Sequence, residues 1–112
     1  MMSAAVNPMI ALALTWVSIT GCSTVIDPSI GQGPISLSTQ TQKAFAEYQT
    51  RQTPRYFAVS TDGQAYYYSY CDAGRCLRQA KTKVIDQCER FSKGVPCKIY
   101  GSQGAVVWSD ES

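Results

Sequence analysis

The fold of this chain is decided by Tyr56-Phe-Ala-Val-Ser-Thr-Asp-Gly-Gln-Ala-Tyr-Tyr-Tyr-Ser-Tyr70. Two runs rich in aromatic and β-branched residues, 56–60 and 65–70, flank an Asp-Gly pair. Such a pair between strand-like runs is a strong short-range signal for a β-hairpin, because tight hairpin turns need residues that tolerate a positive φ. The sequence therefore predicts two antiparallel strands joined by a turn at Asp62–Gly63.

The residues after the hairpin predict a helix over Leu77–Lys93. Apolar side chains recur there at intervals of three or four residues and share one helix face: Leu77, Ala80, Val84, Cys88 and Phe91. Gly94 stands where a C-terminal cap is expected, and Pro96 stops the helix. Two short strand-like runs follow, 97–100 and 105–108. The predicted fold class is α+β, a small antiparallel sheet in the order β-β-α-β-β with one packed helix.

The amino-terminal residues differ chemically from the rest of the 112-residue chain, since residues 1–26 carry no charged side chain. The mostly apolar run from Met9 to Ile19 is shorter than the roughly 20 residues that cross a bilayer, and it has the length of a signal-peptide core. The run ends in Ile19-Thr20-Gly21-Cys22, which resembles the lipobox of bacterial lipoproteins.

This resemblance implies that residues 1–21 are a lipoprotein signal peptide. It also implies that Cys22 becomes the first mature residue and carries acyl chains such as palmitate. Ser23 in the second mature position implies an outer-membrane location facing the periplasm. The alternatives are an ordinary secretory signal or a buried apolar helix of a cytosolic protein.

The cysteine count agrees with export. Five Cys leave one unpaired, and lipidation of Cys22 would account for it. The other four lie close together and predict two disulfides in an oxidising compartment: Cys71, Cys76, Cys88 and Cys97. The inward position of Cys88 on the helix favours Cys88–Cys97 with Cys71–Cys76, and the other two pairings stay open.

Residues 22–54 are predicted to hold the lipid anchor and a flexible tether. Fourteen of the twenty residues from 23 to 42 are Ser, Thr, Gln, Gly or Pro, which bury too little apolar surface to offset the entropy of ordering. One or two helical turns are expected over residues 43–48. A disulfide-stapled module is predicted over residues 55–108, a size at which a hydrophobic core alone is marginal, followed by a tail at 109–112.

Candidate catalytic chemistry is sparse. The chain has no His, which excludes a Ser-His-Asp triad, a Cys-His pair and His-ligated zinc. The four clustered cysteines lack the spacing of a zinc site and would be oxidised after export, so no metal or other cofactor is expected. The prediction is therefore that the protein is not an enzyme, and nucleic acid is not an expected partner of an exported protein.

Two surface features are candidates for binding. On a strand, Tyr66, Tyr68 and Tyr70 share one face, where they either pack beneath a helix or form an aromatic surface for a glycan or a protein. Residues 75–98 carry an excess of basic side chains. These either form a solvated helix surface or contact anionic lipid head groups or an acidic partner.

These features together predict a membrane-anchored envelope lipoprotein that acts as a non-enzymatic binding or assembly module, with an envelope protein or peptidoglycan as its partner. The alternative is an inhibitor or immunity protein against a cell-wall-degrading enzyme. Residues 80–108 are similar to small exported bacterial modules of unknown function. Tyr70-Cys-Asp is similar to the lipoprotein inhibitors of lysozyme, but those are all-β, whereas a helix is predicted over 77–93.

Overall fold

The computed structural model describes residues 27–110. The predicted signal peptide, the lipidation site Cys22 and the first tether residues lie outside this range. The described elements are two helices and four strands: α1 (Thr39–Thr50), β1 (Pro54–Ser60), β2 (Tyr66–Tyr70), α2 (Ala80–Phe91), β3 (Cys97–Ser102) and β4 (Ala105–Val106).

The four strands form one antiparallel sheet in the order β2-β1-β3-β4. The predicted hairpin is confirmed, with Val59 opposite Tyr66 and Phe57 opposite Tyr68. Its turn is closed by Ser60 and Asp62, whose side chains hydrogen-bond to each other, and Gly63 has a φ of 76°. The strand order leaves β2 at one edge of the sheet.

The sheet lies between the two helices, because successive residues of a strand point to opposite faces. On one face, Phe57 and Val59 pack against Phe45 and Tyr48 of α1. On the other face, buried side chains of the sheet and of α2 form a second cluster: Ala58, Val84, Cys88, Cys97 and Ile99. The fold class α+β is confirmed, but the prediction of a single packed helix is wrong.

The second helix, α1, lies inside the segment predicted to be a tether. Its inward residues recur at helical spacing and include a polar one: Thr41, Ala44, Phe45 and Tyr48. The Thr41 hydroxyl donates to the carbonyl of Gly63 (3.0 Å), which fixes α1 to the hairpin turn. The Ser38 side chain caps the helix by accepting from the backbone N–H of Thr41. The ordered domain therefore begins well before residue 55, and residues 27–54 are not a tether.

The predicted helix is confirmed as an α-helix, but it is shorter at both ends than the predicted range 77–93. It begins at Ala80, because Gln79 has a left-handed backbone (φ 54°), and it ends at Phe91. Leu77 and Phe91, both expected on the inward face, are 42% and 61% exposed. The predicted cap is present, since Gly94 has a φ of 98° and its N–H donates to the carbonyl of Glu89 (3.0 Å).

Both disulfides are present, in the favoured pairing. Cys71–Cys76 closes the loop after β2, and Cys88–Cys97 joins α2 to the first residue of β3. The second bridge is buried in the cluster between α2 and the sheet. Among the described residues, neither helix has the length and apolar character needed to cross a membrane.

Candidate functional site

The row of Tyr66, Tyr68 and Tyr70 lies on the sheet face that α1 covers, and all three side chains are half-buried. The Tyr68 hydroxyl donates to Oε1 of Glu47 (3.2 Å) and accepts from Nε of Arg51 (3.3 Å). Burial is the main reason why the pKa of Tyr68 is raised. The Arg51 guanidinium lies 5.1 Å from the centre of the Tyr70 ring. The row is therefore bordered by a helix and its charged side chains, and it is not an open flat surface.

The outer side of β2 is an open sheet edge. Ser60 N–H donates to the carbonyl of Ala65 (2.9 Å), and Ala65 N–H donates to the Ser60 hydroxyl (2.9 Å), so the backbone groups of these two residues face each other at the hairpin end of the ladder. Hydrogen-bonded and non-bonded pairs alternate along an antiparallel ladder, which turns the backbone groups of Tyr67 toward β1 and those of Tyr66 and Tyr68 outward. Within residues 27–110 no strand pairs with this outer side. Edges of this kind are able to accept an additional strand.

A groove of about 360 Å³ borders this edge on the α2 side of the sheet. We call it the β2 groove, and its lining residues are Gln64, Ala65, Tyr66, Tyr67 and Phe91. The Tyr67 and Phe91 rings stack with centres 5.9 Å apart and planes inclined by 26°. Phe91 is the last residue of α2 and is 61% exposed, the largest exposed fraction among the large apolar side chains of the described chain.

The flank of α2 that faces the β2 groove is basic. Lys81 and Ile85 occupy the flank toward β3, since Lys81 binds Asp27 and Ile85 packs in the cluster with Ile30. The 3.6-residue period then places Lys83 and Arg90 on the opposite flank, toward β2. We call this pair the cationic flank.

The cationic flank lines a shallow crevice of about 200 Å³ together with Asp86 and Gln87. Among the described residues, this crevice and the β2 groove have no lining residue in common.

Two carboxylates of the described chain, Asp27 and Asp62, are held by neighbouring hydrogen-bond donors. The pKa of Asp27 is lowered because Lys81 donates to it (2.6 Å), as do the hydroxyl and backbone N–H of Ser29. The pKa of Asp62 is lowered mainly because the Ser60 hydroxyl donates to it within the hairpin turn. An acid held below its usual pKa is a poor proton donor at neutral pH. Within residues 27–110 no group of three His, Cys, Asp or Glu side chains could hold a metal ion.

An exposed turn between Cys71 and Cys76, which we call the clamped tip, projects from the end of β2. The backbone groups of Asp72 and Arg75 exchange two hydrogen bonds (2.9 Å each), and Ala73 and Gly74 both have a positive φ. This is the geometry of a two-residue hairpin turn, and the disulfide clamps its base. All residues from 72 to 79 are exposed. The tip can therefore contact a partner without rearranging.

Sequence reasoning assigned Phe91 and Tyr67 differently from the structure. The helical spacing placed Phe91 among the inward residues, and the tyrosines considered for binding were Tyr66, Tyr68 and Tyr70. The signal that would have identified the groove is the position of Phe91 at the end of the helix, directly before the capping residues. Of the predicted binding residues, Tyr66 lines the groove.

Comparisons of this chain with protein-family models, with curated proteins and with solved structures found no match. The candidate functional features of the described residues are therefore the β2 groove, the cationic flank and the clamped tip. Each of these is a surface feature made of side chains that the fold does not bury.

Proposed function

We propose that this chain is a lipid-anchored lipoprotein of the bacterial envelope whose domain acts as a non-enzymatic binding module. The proposed anchor is acylated Cys22, and the proposed location is the periplasmic face of the outer membrane. The observation that carries the binding role is the β2 groove, where Phe91 and Tyr67 expose stacked rings beside an open sheet edge.

An exposed aromatic pair of this kind favours binding over a purely structural role. Phe91 is the terminal residue of α2, and its ring adds little to the buried core because it is 61% exposed. Burying a fully exposed large apolar side chain contributes about 1.5–3 kcal/mol, so covering the exposed 61% of Phe91 would contribute about 1–2 kcal/mol. Aromatic residues are also enriched in the energetically dominant parts of interfaces. A partner that covers this ring gains free energy that the isolated domain does not use.

The proposed location rests on two features. The lipobox-like Ile19-Thr20-Gly21-Cys22 supports processing and lipidation. The two disulfides support an oxidising compartment, since small exported domains are commonly stapled in this way. A Cys22→Ser variant is expected to leave the membrane fraction, and mass spectrometry of the wild-type protein should show residues 1–21 removed and acyl mass on Cys22.

The binding role is tested by capture of partners with the full mature chain in detergent. Wild-type protein is compared with Phe91→Ser and with Val106→Ser, which removes a 52%-exposed apolar side chain from β4 at the other side of the sheet. The proposal expects a stoichiometric partner that Phe91→Ser loses and Val106→Ser retains. Equal capture by all three proteins would place the binding surface elsewhere and overturn this assignment.

A second candidate function is supported by the clamped tip. An exposed, disulfide-closed turn carrying Arg75 resembles the rigid projections that enter the clefts of enzymes, which fits an inhibitor or immunity protein against a cell-wall-degrading enzyme. In this case the captured partner is a hydrolase whose activity falls on binding. Arg75→Ala should then relieve the inhibition, whereas Phe91→Ser should not.

A further inference from the structure

The two disulfides of this domain differ in how easily a thiol in solution reaches them. Cys88 and Cys97 are 0% and 3% exposed and lie within the buried cluster between α2 and the sheet. Cys76 is exposed, and neither buried cluster of the described residues contains it or Cys71. A disulfide exchanges when a thiolate attacks one of its sulfurs, so access decides which bridge reacts. In the folded protein a thiol therefore reaches the bridge of the clamped tip.

The surroundings of this bridge also select which of its two sulfurs is attacked. Cys71 is only 2% exposed, whereas Cys76 lies within the exposed run 72–79. Nη1 of Arg55 donates to Sγ of Cys71 (3.9 Å), which places a guanidinium beside this buried sulfur. A neighbouring cation stabilises a thiolate, and a stabilised leaving thiolate speeds the exchange. Attack on Cys76 with departure of Cys71 is thus favoured both by access and by charge.

The clamped tip is held by exposed hydrogen bonds in addition to its disulfide. The backbone groups of Asp72 and Arg75 bond to each other (2.9 Å each), and Ala73 N–H donates to Oε1 of Gln52 (3.1 Å). Exposed hydrogen bonds with few buried contacts around them open readily once no covalent closure holds them. Opening the bridge should therefore loosen the tip, while the buried bridge and both core clusters keep the helices on the sheet.

We propose that Cys71–Cys76 is a redox-sensitive bridge, which a dithiol reductant opens by attack on Cys76 to release the clamped tip while the rest of the domain stays folded. First, a thiolate of the reductant bonds to Sγ of Cys76, and Cys71 leaves with the electron pair of the broken S–S bond and takes up a proton. The second thiolate of the reductant then displaces Cys76 from this mixed disulfide. The bridge gains two electrons and two protons, which the reductant loses as it becomes a disulfide. This inference goes beyond the proposed function, since it uses neither the β2 groove nor the lipid anchor.

The test measures how fast each bridge is reduced in the full mature chain in detergent. Dithiothreitol is added, samples are quenched with N-ethylmaleimide, and peptide mapping reports the alkylation of each cysteine separately from Cys22. We expect Cys71 and Cys76 to become alkylated at least about tenfold faster than Cys88 and Cys97. In concentrated guanidinium chloride, where access is equal, the two bridges should be reduced at similar rates. Similar rates in the folded protein, or the same difference in guanidinium chloride, would overturn the proposal.

The attacked sulfur is identified with glutathione, a monothiol that forms a mixed disulfide with the cysteine it attacks. After a brief reaction and quenching, glutathione should be found on Cys76 and the alkyl group on Cys71. Arg55→Gln should slow the reduction of this bridge about threefold, whereas a purely structural loss would expose the bridge and speed its reduction. Lys43→Gln, on the exposed surface of α1, should leave the rate unchanged. An adduct on Cys71, or a wild-type rate for Arg55→Gln, would overturn the proposed direction of attack.

Release of the clamped tip is measured by NMR hydrogen exchange on protein reduced at this bridge alone. The amides of Asp72 and Arg75 should lose protection on reduction. The Ser60 amide, which donates to the Ala65 carbonyl (2.9 Å) at the other end of β2, should keep its protection. Unchanged exchange at Asp72 and Arg75 would show that the tip does not depend on the bridge, and loss of protection at Ser60 would show that reduction unfolds the domain. Either result would overturn the proposal.

Discussion

The two disulfides should contribute unequally to stability. We compare two variants of the mature chain, Cys88→Ala/Cys97→Ala and Cys71→Ala/Cys76→Ala. The first removes a bridge between α2 and β3 that lies within the buried cluster, where Cys88 is 0% and Cys97 3% exposed. The second removes the bridge at the exposed tip. Of the two cysteines in this bridge, Cys71 is buried and Cys76 is exposed.

The expected losses follow from loop closure and from the sulfurs removed from the core. Chain entropy gives about 2.5 kcal/mol for the sequence separation of 9 residues and about 2 kcal/mol for that of 5. Each buried sulfur adds roughly 1 kcal/mol of lost packing. The free energy of unfolding should therefore fall by about 4.5 kcal/mol for the first variant and about 3 kcal/mol for the second.

Urea unfolding of the two variants and the wild type, followed by circular dichroism, measures both losses. Peptide mapping without reduction confirms which cysteines are joined. The reasoning is refuted if the Cys71→Ala/Cys76→Ala variant loses as much stability as the other or more. A mapped Cys76–Cys88 or Cys71–Cys97 link would refute the arrangement of α2 against the sheet.

Three further predictions concern the amino-terminal part of the domain. Tyr48→Phe removes a buried hydroxyl that donates to the Arg55 carbonyl (2.8 Å) and accepts from Gly104 N–H (3.1 Å), so urea unfolding should show a loss of about 1–3 kcal/mol. The Tyr68 hydroxyl contacts exposed side chains, so Tyr68→Phe should lose less unfolding free energy than Tyr48→Phe. Equal losses for the two variants would contradict a stabilising role for the buried Tyr48 hydroxyl. Gly31→Ala should lower the melting temperature and change the Trp108 fluorescence, because a Cβ there would collide with the Trp108 ring. Gly94→Ala, where a Cβ meets open space at a positive φ, is the control, with an expected loss of only about 1 kcal/mol and unchanged fluorescence. The pKa of Asp27 is lower in the folded protein than in the unfolded chain, so its stabilisation is complete above about pH 4 and is lost as the pH falls. As the pH is lowered, the melting temperature of Asp27→Asn should therefore fall less steeply than that of the wild type. Parallel curves of melting temperature against pH for the two proteins would contradict a role for the ion pair of Asp27 with Lys81.

The parts of the fold that local sequence patterns specify were predictable. The hairpin depends on two strand-like runs about Asp62–Gly63, and α2 depends on the spacing of Ala80, Val84 and Cys88. The pairing of Cys88 with Cys97 followed from the inward place of Cys88 on that helix. In each case the deciding residues are close in sequence, so tertiary packing was not needed to identify them.

Helix α1 was recognised only in part, as one or two helical turns over residues 43–48 within the predicted tether, whereas the helix spans Thr39–Thr50. Its sequence is mostly Thr, Gln, Ala and charged residues, and one of its four inward positions is the polar Thr41. Short helices gain most of their stability from packing an amphipathic face, and less from the propensity of their residues. The rings of Phe45 and Tyr48 bury against Phe57, with ring centres 5.1 and 5.4 Å away, and this tertiary contact does not show in the local composition.

The candidate site was missed for a related reason. Helical spacing placed Phe91 among the inward residues of the helix, but this spacing carries no information on where the sheet beneath the helix ends. Since β2 is the edge strand, the ring of Phe91 at the end of α2 stacks on Tyr67 and is left largely exposed. The groove is thus a property of strand order, which the local sequence pattern did not supply.

The position of Asp27 gives the domain an orientation if Cys22 is acylated as proposed. Residues 23–26 are the only ones between the lipid and an ion pair with Lys81, so the β3 side of the domain is kept within about 17 Å of the anchor. Neighbouring strands are about 4.8 Å apart, and β1 separates β3 from β2. The open edge of β2 and the exposed Phe91 therefore lie on the far side of the sheet from the anchored edge. A short anchor at this place would hold the domain close to the membrane while leaving the β2 groove accessible to partners in the periplasm.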